Sequence, residues 1–125
     1  MKKHKILIVD DRMEYLESLK RALSDEFEIF TALSFKETKK VISDEIDLLL
    51  VDICLDETRP GEDRGGVEVL KWVKRNYPDK PVVMMSAYRD FDAAVETLNL
   101  GAEKFLRKPI NIVELRQTIK EIIEK

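Results

Sequence analysis

Three aspartates stand directly after apolar runs, where the ends of buried strands would hold them side by side. Asp10 and Asp11 follow the run 6–9, and Asp52 follows the run 48–51. Carboxylates brought this close repel one another and raise each other's pKa unless a cation lies among them. Because hard oxygen ligands suit Mg²⁺, the three side chains predict a magnesium site, in which Mn²⁺ could substitute.

Two further polar side chains follow apolar runs of the same kind. Ser86 ends the run 82–86, and Lys108 follows the run 103–107. An ammonium and a hydroxyl beside a bound cation would complement a phosphoryl group, because phosphoryl transfer depends mainly on positioning and charge neutralisation. An aspartate is then the expected nucleophile, and the product is an aspartyl phosphate. Taken singly, each residue has a simpler role as a cap or turn residue, and Asp11 could simply cap a following helix.

Apolar runs rich in β-branched residues alternate with segments of helical periodicity along the whole chain. Helix signals include a capping box from Ser34 to Glu37, a C′ glycine at Gly101 and an N-cap at Asn111. Nearly continuous apolar runs are typical of strands buried on both faces. The predicted strands are 5–10, 27–32, 47–52, 81–86 and 103–107.

This alternation predicts an α/β fold with five parallel strands and helices on both faces of the sheet. It is the flavodoxin-like, doubly wound arrangement, for which the strand order 2-1-3-4-5 is common. Ligands of such sheets bind beyond the carboxyl ends of the strands. The polar side chains described above are predicted to lie at that edge.

The overall composition excludes several classes of protein. The 125 residues fit one domain, 1–125, and the net charge of −3 argues against direct nucleic acid binding by it. One cysteine, Cys54, and one histidine, His4, cannot form an intramolecular disulfide or the usual zinc site. Since no apolar run is long enough to span a membrane and the start is not a signal peptide, we expect a cytoplasmic domain without membrane contact.

Four segments of the chain resemble the receiver domains of two-component response regulators, and the resemblance extends over the whole sequence. It implies phosphorelay signalling, in which a sensor histidine kinase or phosphotransfer protein phosphorylates Asp52 in a Mg²⁺-dependent reaction. It also implies a signalling switch that assists its own aspartyl phosphorylation and dephosphorylation, rather than an enzyme. The four segments are ILIVDDRMEYLESL, DLLLVDICL, PVVMMSA and GAEKFLRKPI.

The resemblance also implies a role for each polar side chain. Asp10 and Asp11 match the acidic pair that holds Mg²⁺, and Asp52 matches the phosphoacceptor. Cys54 matches the position whose backbone carbonyl completes the metal site, so that its thiol need not contact the metal. Lys108 matches the lysine that pairs with the phosphoryl group. The other matches are Ser86, the switch hydroxyl; Ala87, the small residue after it; Phe105, the aromatic switch; and Pro109, whose peptide bond is often cis.

The implied switch runs from Ser86 to Phe105. Movement of the Ser86 hydroxyl toward the phosphoryl group would let Phe105 rotate inward, which would change the surface formed by the fourth helix, fifth strand and fifth helix. The resemblance implies that the position two residues after the switch hydroxyl faces the mouth of the site. Tyr88 at this position predicts slow loss of the phosphoryl group, because its ring could impede the hydrolytic water.

The segment after Asp52 departs from the family pattern. Asp56 stands where receivers usually carry proline, and the glycine that best matches the family is Gly66, fourteen residues after Asp52. The loop 53–66 is therefore about six residues longer than usual. It is either a solvated insertion without a role or a loop that covers the site or contacts a partner, since long loops in compact domains are often functional.

Three alternatives remain at this point. A Mg²⁺-dependent phosphatase needs a second acid where this chain has Cys54, and a nucleotide or flavin binder needs a glycine-rich motif that the sequence lacks. The third is a pseudo-receiver, a protein-interaction module not regulated by phosphorylation, which the altered loop keeps open. The sequence also allows either a stand-alone receiver or the N-terminal part of a longer regulator with an output domain, and homodimer formation on phosphorylation.

Overall fold

The computed structural model describes residues 2–56, 63–87 and 91–125, except for the side chain of Phe91. Strands and helices alternate strictly along these ranges. The strands are β1 (Lys5–Val9), β2 (Glu28–Ala32), β3 (Leu48–Asp52), β4 (Val82–Ser86) and β5 (Lys104–Arg107). The helices are α1 (Met13–Leu23), α2 (Phe35–Val41), α3 (Gly65–Asn76), α4 (Phe91–Asn99) and α5 (Ile112–Ile123).

The strands form one parallel sheet in the order β2-β1-β3-β4-β5. The predicted flavodoxin-like, doubly wound fold and its strand order are therefore confirmed. The register pairs Val9 with Val51, Asp52 with Met85, and Ser86 with Arg107. As a result the carboxyl ends of β1, β3, β4 and β5 lie along one edge of the sheet, here called the carboxyl edge.

The three central strands are apolar except at their ends, because helices cover both faces of the sheet. Alternate residues such as Leu49 and Val51 pack toward the side of α2, α3 and α4, whereas Leu48 and Leu50 pack toward α1 and α5. All four of these side chains have no exposed surface. This burial explains why the predicted strands read as continuous apolar runs rather than as alternating ones.

The predicted helix ends are also present in the structure. Ser34 Oγ accepts from the Glu37 backbone N–H at 3.1 Å, and Asn111 Oδ1 accepts from the Glu114 N–H at 3.0 Å. Gly101, after α4, has a φ of 104°, which glycine adopts without steric cost. None of the helices in the described part of the chain combines enough length with enough apolar character to cross a membrane.

Candidate functional site

The carboxyl edge of β1 and β3 brings three carboxylates together. Asp10, Asp11 and Asp52 each offer an oxygen within 4.8 Å of the others. Asp10 is fully buried and Asp52 is 5% exposed, while Asp11 is half-buried. The carboxylates converge because β1 and β3 are adjacent strands of the sheet, in which Val9 pairs with Val51. The structure therefore places these predicted site residues in one cluster.

Asp11 does not cap the helix that follows it, as its simpler role would require. The helix begins after Arg12, whose backbone N–H donates to Asp10 Oδ1 at 2.9 Å. This bond fixes one oxygen of Asp10 and turns the chain from β1 into α1.

Lys108 places its ammonium group among the carboxylates. Its Nζ donates to Asp10 Oδ2 and to Asp52 Oδ2, each at 2.6 Å, and its side chain is only 10% exposed. The backbone N–H of Lys108 donates to the Ser86 carbonyl at 2.8 Å, and the Lys108–Pro109 peptide bond is cis. The segment after β5 is thus attached to the end of β4 and delivers the ammonium to the carboxyl edge.

Burial and charge act against each other at this cluster. Burial raises the pKa of Asp52 to about 7, although Lys108 acts in the opposite direction. Burial also opposes the charge on Lys108, but the two carboxylates outweigh it and raise the pKa of Lys108 above its ordinary value. The lysine therefore stays protonated at neutral pH and compensates part of the negative charge.

The donor set at this edge fits a hard divalent cation. Three carboxylates with oxygens within 4.8 Å of each other suit Mg²⁺, which prefers oxygen ligands. The Cys54 backbone N–H donates to Asp52 Oδ1 at 3.1 Å, and the Cys54 thiol donates to the Asp56 carbonyl at 3.3 Å. The thiol is thus engaged by the loop, and the Cys54 carbonyl as a metal ligand stays a prediction.

The two predicted switch residues lie on neighbouring strands. Ser86 ends β4 at the carboxyl edge and is 3% exposed. Phe105, in β5, is half-buried, pairs with Met84 and packs against the core on the α3 side. Ala87 is exposed, and Tyr88 lies outside the described residues. The roles of Ser86 and Phe105 in switching remain predictions.

The two ends of the loop after β3 are held against the site, while residues 57–62 lie outside the described ranges. Asp63 Oδ1 accepts from the backbone N–H groups of Leu55 at 2.8 Å and Gly65 at 3.0 Å. A Cβ on Gly66 would lie 1.9 Å from the Asp52 carbonyl oxygen, so only glycine fits there. The start of α3 therefore packs directly on the backbone of Asp52.

Sequence reasoning missed one aromatic residue of the site. The Tyr15 ring centroid lies 4.2 Å from Lys108 Nζ. The available signal was the spacing, because Tyr15 is four residues after Asp11 at the start of a predicted helix and so returns to the same side one turn later. Sequence reasoning also missed the role of Asp63 in joining the two ends of the loop, because the path of the loop determines its hydrogen-bond partners.

Comparison with known proteins identifies the class of protein that this fold and carboxylate cluster define. The family model described as "Response regulator receiver domain" matches residues 6–120, so the chain belongs to that family. It is therefore a receiver domain of the two-component response regulators, which are signalling switches.

Individual relatives agree with this assignment. The response regulator protein PilR of Pseudomonas aeruginosa is 31% identical over 95% of this chain and 26% of its own length. The transcriptional regulatory protein CpxR of Escherichia coli K12 is 32% identical over 98% of this chain and 50% of its own length. The chain thus spans a quarter to a half of these curated relatives.

A solved structure supports the fold. The receiver domain protein from Clostridium thermocellum superposes with a TM-score of 0.85 at 28% identity, covering 97% of this chain and 94% of that one. Family membership favours the receiver interpretation over the phosphatase and nucleotide-binder alternatives. A pseudo-receiver would have the same fold and stays open.

Proposed function

We propose that Asp52 accepts a phosphoryl group from a phosphohistidine of a sensor histidine kinase or phosphotransfer protein. The observation that carries this proposal is the position of the Lys108 ammonium, 2.6 Å from both Asp10 and Asp52 within the carboxylate cluster. A buried carboxylate beside a buried ammonium is suited to receive a dianionic phosphoryl group, because the ammonium compensates one of its negative charges.

The reaction is an in-line displacement at phosphorus. A carboxylate oxygen of Asp52 forms the new O–P bond while the P–N bond to the donor imidazole breaks. The bonding electron pair stays with the imidazole nitrogen, which takes up a proton from water, and the product is an aspartyl phosphate. The N–H of Cys54 holds Asp52 Oδ1 at 3.1 Å, so the nucleophile is oriented before the donor arrives.

Asp10, Asp11 and Asp52, with the backbone carbonyl of Cys54, would hold Mg²⁺, and Mn²⁺ can substitute. The bound cation would neutralise charge on the phosphoryl oxygens. Lys108 then pairs with the new phosphoryl group. The same residues assist both phosphorylation of Asp52 and hydrolysis of the aspartyl phosphate. The close approach of three carboxylates supports this assignment.

The output is a change on the face formed by α4, β5 and α5. Ser86 follows the phosphoryl group, and Phe105 rotates toward the space that Ser86 leaves. The hydrogen bond from the Lys108 N–H to the Ser86 carbonyl supports this coupling, because it joins the lysine segment to the end of β4. The added dianion biases a two-state element in the manner of other phosphorylation switches.

The whole chain, 1–125, acts as one cytoplasmic receiver domain in this proposal. The greater lengths of PilR and CpxR favour an output domain outside this chain, although a stand-alone receiver has the same site. Phosphorylation could drive homodimer formation. The net charge of −3 supports a domain that does not itself bind nucleic acid.

Intact-protein mass spectrometry after incubation with Mg²⁺ and acetyl phosphate tests this proposal. The wild type should gain one phosphoryl group, and it should gain none when EDTA is present or when Asp52→Asn is tested. If the wild type gains no mass and does not bind beryllofluoride, the proposal fails and the pseudo-receiver alternative replaces it.

A further inference from the structure

The Lys108 ammonium lies between two kinds of surface. On one side it donates to the carboxylates of Asp10 and Asp52 at 2.6 Å. On the other side the Tyr15 ring centroid lies 4.2 Å away, well within the range of a cation–π contact. Since the Lys108 side chain is only 10% exposed, the ring forms part of the wall that separates the ammonium from water.

Packing holds the Tyr15 ring in this place. Tyr15 lies in the first turn of α1, directly after the aspartate pair, and is half-buried. It packs against the core cluster beneath α1 and α5, as do Ile110 and Ile112 from the segment that follows Lys108. The ring and the lysine are therefore brought together from the two ends of the chain, residues 15 and 108, by the same apolar contacts.

We infer that Tyr15 is a positioning residue for the phosphorylation of Asp52, because its ring face holds the Lys108 ammonium at the carboxylate cluster. This inference rests on the proposed function. A lysine side chain has many rotamers and a strongly hydrated head group. The ring restricts those rotamers and replaces part of the hydration, so that the ammonium is already in place when a phosphoryl group arrives.

The face of the Tyr15 ring, rather than its hydroxyl, is the group that holds the Lys108 ammonium. Tyr15→Phe keeps the ring, whereas Tyr15→Leu keeps apolar packing but removes the π face. Tyr77→Leu is a matched control, because Tyr77 is also half-buried and its ring lies 5.3 Å from the ammonium of another lysine, Lys80. That pair is distant from the carboxylate cluster.

The test has two measurements on the whole chain. In NMR spectra without any phosphoryl donor, the ε-methylene protons of Lys108 should be shifted upfield by the ring current in the wild type and in Tyr15→Phe. This shift should be lost in Tyr15→Leu. With acetyl phosphate and Mg²⁺, Tyr15→Leu should be phosphorylated about tenfold more slowly, whereas Tyr15→Phe and Tyr77→Leu should stay within about twofold of the wild type.

Two results would overturn the inference while leaving the proposed function intact. In one, Tyr15→Leu is phosphorylated as fast as the wild type. In the other, Tyr15→Phe is as slow as Tyr15→Leu, which would assign the effect to the hydroxyl. If the wild type itself is not phosphorylated, the proposed function fails as well, so the two failures are distinguished by the wild-type result.

Discussion

Lys80 and Lys108 are two partly buried lysines beside tyrosine rings, at opposite edges of the same sheet. Lys80 precedes β4, lies 5.3 Å from the Tyr77 ring and donates to the Ile46 carbonyl at 2.5 Å. Lys108 follows β5, and its Nζ lies 4.2 Å from the centroid of the Tyr15 ring and donates to two carboxylates. The main difference is that Lys108 hydrogen-bonds directly to carboxylates, whereas Lys80 hydrogen-bonds to a backbone carbonyl.

The difference reverses the direction of the pKa shift. Burial lowers the pKa of Lys80, because the nearby charges of Asp44 and Asp47 only partly offset it. Burial acts in the same direction on Lys108, yet the contacts with Asp52 and Asp10 raise its pKa. The lysine–tyrosine pair before β4, at the amino end of the strand, is thus a structural feature only. The pair after β5 is part of a site, because buried carboxylates converge on its lysine.

The largest expected effect comes from removing the lysine at the site. Lys108→Met keeps the length of the side chain but removes the ammonium that compensates the phosphoryl charge. We expect phosphorylation by acetyl phosphate to slow by about 100-fold, the usual loss when one positioned donor is removed. Lys80→Met is the control and should stay within about twofold. Equal loss in both variants would contradict the comparison.

A second prediction concerns the packing of α3 on the backbone of Asp52. Gly66→Ala places a Cβ 1.9 Å from the Asp52 carbonyl oxygen, and backbone atoms must shift to accept it. We expect the free energy of unfolding to fall by about 3 kcal/mol, as measured by urea denaturation. In the control Gly65→Ala, the nearest contacts are Asp63 Oδ1 and Leu55 Cβ at 3.2 Å, so a shift of only a few tenths of an ångström is needed. Similar losses in both variants would exclude the backbone contact as the cause.

A third prediction uses the pH dependence of stability in the absence of divalent cations. Because burial raises the pKa of Asp52 from 3.8 to about 7, the folded state binds its proton more tightly than the unfolded state. The stabilisation that this raised pKa adds to the free energy of unfolding is fully present below pH 4 and is lost as the pH rises through 7.

Replacing the carboxylate should remove this loss. Asp52→Asn should therefore gain stability relative to the wild type between pH 4 and pH 8, by a relative change on the order of 2 kcal/mol. Urea denaturation in EDTA at several pH values measures it. If the difference in unfolding free energy between the two proteins stays constant with pH, the pKa of the Asp52 carboxyl is not raised in the folded protein.

The smallest effect is expected at Cys54. Its thiol contacts the Asp56 carbonyl, and its predicted contribution to the metal site comes from the backbone. Cys54→Ala should therefore change the Mg²⁺ concentration needed for half-maximal phosphorylation by less than about threefold. In contrast, Asp11→Asn removes a carboxylate and should raise that concentration strongly. A strong shift in Cys54→Ala would make the thiol a participant in the site.

The fold could be predicted because its determinants are local. Continuous apolar runs such as 48–51 require burial on both faces, and a capping residue such as Asn111 marks the start of a helix. Asp10, Asp11 and Asp52 could be placed at one edge because they stand at or just after the carboxyl ends of strands that must align in a parallel sheet.

Other parts of the site depend on contacts between segments distant in the sequence. The two bonds that Asp63 accepts arise from the path of the loop after β3, which no periodic pattern encodes. The contact between Tyr15 and Lys108 joins residues from opposite ends of the chain. Gly66 could be matched to the family, but the reason that only glycine fits there is a close contact with the Asp52 carbonyl oxygen, which residue spacing does not encode.

The most direct test of the central claim locates the phosphoryl group chemically. Borohydride reduces an acyl phosphate to an alcohol, so the phosphorylated protein can be reduced, digested and sequenced by mass spectrometry. We predict that the aspartate at position 52, and no other carboxylate, is converted to homoserine, and that EDTA prevents the conversion. Conversion at another residue, or a phosphoryl group that resists reduction, would contradict the assignment of Asp52 as the phosphoacceptor.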